Sequence, residues 1–404
     1  MSISQIARSI SESATLKLND TAARLREKGE PVIHLGGGEP KSKAPMDAII
    51  AAAALLNSGE VRYCPPEGTR DMKKAIIRYT EEWYQRRVEP EHVIASSGAK
   101  QAIMVCLQAI LNPQDEVIFP VPYWVSYPEM VKLCGAVPVP VAAEDGSFQP
   151  RLRDIEERVG AQTKAIIINS PNNPSGAVYS EQFIAEIVEL CEKRGLYLLM
   201  DDIYHRLIFG GRKPVSCYKY AKDLTETSNL VVINGVSKLY AMTGFRIGWA
   251  IGNKTLIRAM ANIQSQQTSG PSVLLQHAAV GALNGIQSSV EALRMSLENN
   301  RNIMVDALKA FSGVKLTPPD GAFYCFPDFS AYQKDSTKLS QLLLDKVRVV
   351  AVPGKEFGME GHLRLSTCGT IKEITEGIER IKWALDPNSP NELILGNRKL
   401  VRDW

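Results

Sequence analysis

Short apolar runs alternate with amphipathic stretches through the first two thirds of the chain. Residues 165–169, 196–200 and 230–234 are almost wholly apolar, the pattern of strands covered on both faces. Weaker runs at 93–95, 116–120, 136–141 and 247–251 read as further strands. Between them a 3.6-residue period predicts helices: 69–87, with Met72, Ile76, Tyr79 and Trp83 on one side, then 101–111, 127–133, 152–159 and 180–194. Strand and helix in regular alternation predict an α/β fold, a mostly parallel central sheet flanked by helices. Beyond residue 255 the period is helical at 256–267, 273–283 and 289–310. A smaller mixed region follows, with strands at 322–326, 349–354 and 362–366 and helices at 337–345 and 371–385. It reads as a second, smaller α+β domain.

The ends of the chain complete the division. Leu18, Ala22, Ala23 and Leu25 form a helical stripe that stops at Gly29, and a strand at 31–35 runs into Gly36-Gly37-Gly38. The expected organisation is an N-terminal segment (1–45) packed with the small domain, a large domain (46–285), the small domain (286–385) and an extended tail (386–404). Pro387, Pro390 and Gly396 argue for an arm there, and Leu400 and Trp404 for an arm that docks.

In parallel sheets ligands sit beyond the carboxyl ends of the strands. The unusual residues fall at those ends: Gly98 after one strand, Asn173 after another, Asp201 after a third and Lys238 after a fourth. Lys238 stands in a run of small residues, with Arg246 eight positions on, between Gly244 and Gly248. A lysine amine joins an aldehyde as an imine, and burial makes it a better nucleophile. An arginine grips a phosphate through two parallel hydrogen bonds. Pyridoxal 5′-phosphate (PLP) has both groups, and it also needs a carboxylate facing its pyridine nitrogen. Taken alone, Lys238 and Arg246 fit a surface loop equally well, and Gly36-Gly37-Gly38 fits a flexible connector.

The 404 residues carry a net charge of +3, which gives no reason to expect nucleic acid or an anionic membrane as partner. No apolar run approaches 18 residues, so no membrane span is expected. Seven scattered cysteines, none in a C-x-x-C pair, argue for reduced thiols in a cytoplasmic protein and against a metal site.

Seven motifs in order carry a resemblance: Tyr63-x-Pro-Pro-x-Gly, Ser97-Gly98-Ala99-Lys100-Gln101, Pro122-Tyr123-Trp124-Val125-Ser126-Tyr127, Asn172-Asn173-Pro174-Ser175-Gly176, Asp201-Asp202-Ile203-Tyr204, Ser237-Lys238 with Gly244-x-Arg246-x-Gly248, and Arg364-Leu365-Ser366. Over residues 10–385 the chain resembles the class I, fold-type I PLP-dependent aminotransferases, most of all the bacterial aspartate and prephenate aminotransferase subgroup. The resemblance implies that Lys238 holds the cofactor aldehyde and then moves a proton at the substrate Cα. It implies that Asp201 faces the pyridine nitrogen, that Tyr204 and Asn173 bond the phenolic oxygen, and that Trp124 stacks on the ring. Gly98, Ala99, Lys100, Ser237 and Arg246 would hold the phosphate. Tyr63 would reach the phosphate in a neighbouring subunit, which implies a homodimer with shared sites. Arg364 would receive the substrate α-carboxylate, with a backbone N–H of Gly38 close by; Trp124 and Asn173 would also touch substrate.

The implied activity is amino-group transfer between an L-amino acid, aspartate-like or aromatic, and a 2-oxo acid such as 2-oxoglutarate. The alternatives are a PLP-dependent β-eliminating lyase on the same fold and a non-catalytic PLP-binding regulator. Ser13, Thr15 and Gln108 are candidates for the side-chain pocket. Gln108 is neutral where an aspartate-specific site calls for a cation.

Overall fold

The computed structural model describes residues 3–12, 14–221, 228–395 and 398–402. Seven strands form the main sheet: β1 (Val93–Ser96), β2 (Glu116–Val121), β3 (Val137–Ala142), β4 (Thr163–Asn169), β5 (Tyr197–Asp201), β6 (Leu230–Gly235) and β7 (Gly248–Ile251). Their spatial order is β1-β7-β6-β5-β4-β2-β3, and only β7 runs antiparallel to its neighbours. Successive side chains of a strand face opposite sides. Along β4, Ala165 and Ile167 join one apolar cluster while Ile166 and Ile168 join the other. All four are fully buried, as an apolar run with no alternation requires. Each isoleucine so placed contributes about 2 kcal/mol of transfer free energy. The first face is covered by helices Ala99–Ile110 and Lys254–Gln267, the second by Arg70–Tyr84, Glu181–Arg194 and Val273–Asn284.

The helix Ser288–Lys309 spans two cores. Val290, Leu293 and Leu297 pack with the sheet, while Met304, Val305 and Leu308 pack in a second cluster with Leu343, Ile374, Ile378 and Ile381. Beside this second cluster Val352–Pro353, Leu363–Ser366 and Tyr324–Cys325 pair as an antiparallel sheet. Ile33–His34 pairs in parallel with Val349–Val350, and Ile33 and Leu35 enter the second cluster. The N-terminal segment is thereby tied to the C-terminal region, and the glycine run that follows is carried to the mouth of the site.

The tail differs from the extended arm expected of it. Glu392–Leu395 and Arg398–Val401 form an antiparallel hairpin. Leu395 is buried, and Leu393 and Leu400 pack against the second cluster. The Trp383 indole N–H donates to the Pro390 carbonyl at 2.7 Å, and the Arg402 guanidinium donates to the Asp386 carbonyl at 2.7 Å. The prolines set the turn into the hairpin, and alternating Leu393, Leu395 and Leu400 supply its buried side. Trp404, expected to dock, lies outside the described residues.

Candidate active site

The carboxyl ends of β4, β5 and β6 open on a cavity of about 910 Å³. Lys238, Asp201, Asn173, Tyr204, Trp124, Ser237, Arg246, Ala99, Lys100, Gly38 and Arg364 all line it, and Gly98 stands at its edge behind Arg246. Residues from 38 to 364 therefore converge because parallel strands deliver their following loops to one side of the sheet.

Asp201 is the last residue of β5 and is 5% exposed. Its Oδ2 accepts from the Tyr127 hydroxyl at 2.7 Å and its Oδ1 from the Ile203 N–H at 3.3 Å. Burial pushes its carboxyl up to about 6, against those two hydrogen bonds. A carboxylate so placed gains from a cation in front of it. Asn169, at the end of β4, donates to the Asp201 carbonyl at 2.8 Å and accepts from the Asn173 N–H at 2.8 Å, so it fixes two loops at once.

Lys238 follows β6. Its amine donates to the Gly38 carbonyl at 2.7 Å, and burial lowers it to about 8. A substantial neutral fraction is then available near neutrality, as a nucleophile requires. Gly38, expected to bring a backbone N–H near the substrate carboxylate, lines the cavity, and its carbonyl is the one that accepts from Lys238.

The anion cradle is built from a glycine and an arginine. Gly98 has φ 87°, and a Cβ there would lie 2.4 Å from Arg246 Nη2. Only glycine lets the guanidinium rest against this turn. A Cβ on Gly248 would lie 2.2 Å from the Ala99 nitrogen, so β7 packs directly onto the start of helix Ala99–Ile110. No side chain caps that start, and its first N–H groups are left for an anion. The Lys100 ammonium sits 5.0 Å from the Trp124 ring centroid, and burial and Arg246 lower its proton affinity.

Arg364 is 3% exposed. Its Nη1 donates to Asn173 Oδ1 at 3.0 Å and its Nη2 to the Gly36 carbonyl at 2.9 Å; its Nε is buried without a partner. The guanidinium carbon lies 4.5 Å from the Tyr324 ring centroid and 5.0 Å from that of Phe357. Among the described residues no carboxylate neutralises it, so a buried cation awaits an anion. The Tyr204 hydroxyl stands 3.3 Å from that of Tyr324.

Two expectations fall outside the cavity. Tyr63 is 94% exposed and does not line it. Gln108 accepts from Gln267 Nε2 at 2.6 Å on the far side of its helix and does not reach the cavity. Ser13 lies outside the described residues, as does the Thr15 side chain. Lining residues that the sequence does not single out include Asn19, Arg26, His34, Asn169 and Tyr324. His34 donates from Nε2 to Asn19 Oδ1 at 2.8 Å. Burial, then Arg26, pushes its ring down to about 4, so it is neutral. Arg26 makes one long hydrogen bond, 3.4 Å to the Val32 carbonyl, and no ion pair among the described residues.

Residues 30–381 match the family Aminotransferase class I and II. The chain is 36% identical to an aspartate aminotransferase of Bacillus subtilis (strain 168) over 96% of its length and 100% of the relative's. It is 38% identical to a probable aspartate/prephenate aminotransferase of Aquifex aeolicus (strain VF5), over 93% and 96%. The structure of the aspartate aminotransferase from Thermus thermophilus with maleate superposes with a TM-score of 0.90 at 35% identity, covering 95% of this chain and 99% of that one. With the fold, the strand-end cavity and these relatives in agreement, the chain belongs to the class I and II aminotransferases.

Proposed function

We propose that the protein is a PLP-dependent aminotransferase acting on a dicarboxylic amino acid of the aspartate kind and its 2-oxo acid partner. One observation carries this: a single cavity holds an amine, a buried carboxylate, an uncapped helix start with an arginine, and a second, unneutralised buried arginine. The first three match the aldehyde, ring nitrogen and phosphate of PLP, and the fourth matches a substrate carboxylate. When bound, PLP supplies an aldehyde that takes up the amino group and a ring that withdraws electrons from the substrate Cα.

The chain's own residues do the rest. Lys238 would hold the aldehyde and, once released, take the proton from the substrate Cα; its lowered proton affinity suits a base working near neutrality. Asp201, held by Tyr127, would keep the ring nitrogen protonated. Gly98, Ala99, Lys100, Ser237 and Arg246 would hold the phosphate. Asn173 gives its Oδ1 to Arg364, and its NH₂ makes no hydrogen bond to another described residue, so with Tyr204 it can serve the phenolic oxygen. Arg364 would clamp the α-carboxylate, beside Trp124 over the ring.

For the distal carboxylate the structure offers Arg26. The other cations of the cavity are assigned, apart from Lys41, which pairs with Glu373 at 2.6 Å. Among the described residues Arg26 spends one donor, on the Val32 carbonyl, and it stands beside a neutral His34 with no other role given to it. The relatives named aspartate and aspartate/prephenate aminotransferases support a dicarboxylic substrate, and they do not favour the eliminating lyase. The test is a panel of amino donors against 2-oxoglutarate, pyruvate and oxaloacetate, run on wild type and Arg26→Ala. Wild type is expected to prefer aspartate and glutamate. Arg26→Ala should lose about tenfold in kcat/KM for these alone, the size of one charge-assisted hydrogen bond. An equal loss with alanine or phenylalanine would contradict the assignment.

The active unit is proposed to be a homodimer. Met46, Ile50, Leu56 and Val61 are exposed apolar residues in the stretch that leads to the exposed Tyr63, which suits burial of this stretch against a second copy and delivery of Tyr63 to its site. The compartment is proposed to be the cytoplasm, where the seven free thiols are stable.

A further inference from the structure

Tyr63 is the most exposed large hydrophobic side chain among the described residues, yet the loop that follows it is tied down along its length. Two glutamines do the tying. Gln264, in the helix Lys254–Gln267, and Gln276, in the helix Val273–Asn284, are both fully buried. A buried glutamine is a poor choice for packing alone, since it gives up rotamer freedom and its amide needs partners. Gln276 joins the two ends of the loop. Its Oε1 accepts from the Thr69 N–H at 2.7 Å, and its Nε2 donates to Cys64 Sγ at 3.3 Å. The second Nε2 hydrogen goes to the Pro271 carbonyl at 2.8 Å. Gln264 holds the middle: its Nε2 donates to the Pro66 carbonyl at 2.5 Å and to the Ala95 carbonyl at 2.8 Å. Its Oε1 has no partner among the described residues, so what this amide contributes is its two donors.

The loop also meets the sheet. β1 is an edge strand, paired with β7 alone. The Ala95 N–H donates to the Glu67 carbonyl at 2.9 Å, while the Ala95 carbonyl takes Gln264. The clasp thus covers the open edge of β1 and fastens residues 64–69 to two helices and a strand. Thr69 then caps the helix Arg70–Tyr84, its Oγ1 accepting from the Met72 N–H at 3.2 Å. Tyr63 projects from this anchored base and does not line its own chain's cavity. A side chain on an ordinary surface loop moves with the loop. One that projects from a fixed base keeps its direction and has less freedom to lose on meeting a ligand.

We propose that Gln264 and Gln276 are positioning residues that hold the loop so that Tyr63 reaches the phosphate in the partner subunit. This rests on the PLP and homodimer assignments made above. A competing route runs within one chain: Ala95 lies three residues before Gly98, so a loosened clasp would disturb the chain's own phosphate turn. The two routes act on different subunits, which separates them.

Mixed dimers make the test. Two differently tagged chains are co-expressed, one of them carrying Lys238→Ala, and the mixed species is isolated and loaded with PLP. The visible band then reports only the site whose Lys238 is intact. Its loss on dialysis against falling PLP concentrations gives the dissociation constant of that one site. Gln276→Met keeps an unbranched side chain and removes the amide. Placed on the Lys238→Ala chain, it gives the reporting site a Tyr63 from an unclasped loop; placed on the other chain, it gives that site a Tyr63 from a clasped one. The first arrangement is expected to raise the dissociation constant about tenfold, the size of one charge-assisted hydrogen bond, and the second to change it less than about twofold. A rise in the second arrangement alone, an equal rise in both, or no rise in either, whatever the melting temperature does, overturns the proposal. Should Gln276→Met not fold, Gln264→Met is put through the same two arrangements with the same expectations. The same pair of mixed dimers built with Tyr63→Phe tests the underlying assignment by itself. A tenfold rise in the first arrangement alone supports it; no rise in either, or no mixed dimer at all, overturns the role of Tyr63 and this proposal with it. If Tyr63→Phe behaves as expected and the glutamine variants do not, the assignment stands and the clasp alone falls.

Discussion

Lys238→Ala is expected to abolish both amino transfer and the visible absorbance of bound PLP. The amine lines the same cavity as the buried carboxylate of Asp201, and its lowered proton affinity suits a base working near neutrality. Losing the general base costs up to about 10⁴-fold, and loss of the covalent hold adds to that, so residual turnover should be at least about four orders of magnitude down. The fold should survive, because Lys238 contributes one hydrogen bond, to the Gly38 carbonyl, and no core packing. Far-ultraviolet circular dichroism and a thermal melt check this, and turnover with aspartate and 2-oxoglutarate checks the chemistry. A variant with more than about a hundredth of wild-type activity would show that the proton at Cα is moved by another group.

Arg364→Met is expected to have the second largest effect, and of a different kind. The guanidinium is buried, its Nε has no partner, and among the described residues no carboxylate neutralises it. Truncating one side of a buried, bidentate charge pair costs about 2–5 kcal/mol, or roughly 30- to 4,000-fold in kcat/KM. The loss should fall equally on the amino acid and the oxo acid, since both present the same α-carboxylate. The visible band should be retained, because the cofactor is held elsewhere. Arg364→Lys keeps the charge but loses the fork that reaches both Asn173 and Gly36, so it should recover only part of the loss. Separate titration of each half-reaction measures this; a loss confined to one of the two substrates would remove Arg364 from the shared carboxylate position.

The sheet was legible because its strands are buried on both faces, and an apolar run such as 165–168 leaves little alternative. The convergence of Gly98, Asn173, Asp201 and Lys238 followed from the parallel topology alone. Other parts were not legible, for reasons of long-range geometry. Tyr127 sat inside a quoted motif, yet nothing local says that its hydroxyl holds a carboxylate 74 residues away. Arg26 and His34 read as the polar side of a helix and a strand residue; they enter the site only because Ile33–His34 pairs with Val349–Val350. The prolines of the tail point to an extended arm, whereas Leu393, Leu395 and Leu400 fall on one side of a hairpin whose pairing no local signal announces. The divisions at residues 45, 285 and 385 stay a proposal, and the helix Ser288–Lys309 shows why a sharp boundary is artificial there, since its two halves belong to different cores.

The central claim is that one chain passes an amino group to its cofactor and then to a 2-oxo acid. The PLP-loaded enzyme, mixed with excess L-aspartate and no 2-oxo acid, should lose its visible band and release one oxaloacetate per site, then stop. Added 2-oxoglutarate should restore the band and yield one glutamate per site. Continued release of ammonia and a 2-oxo acid from the amino acid alone, with the band retained, would contradict the account.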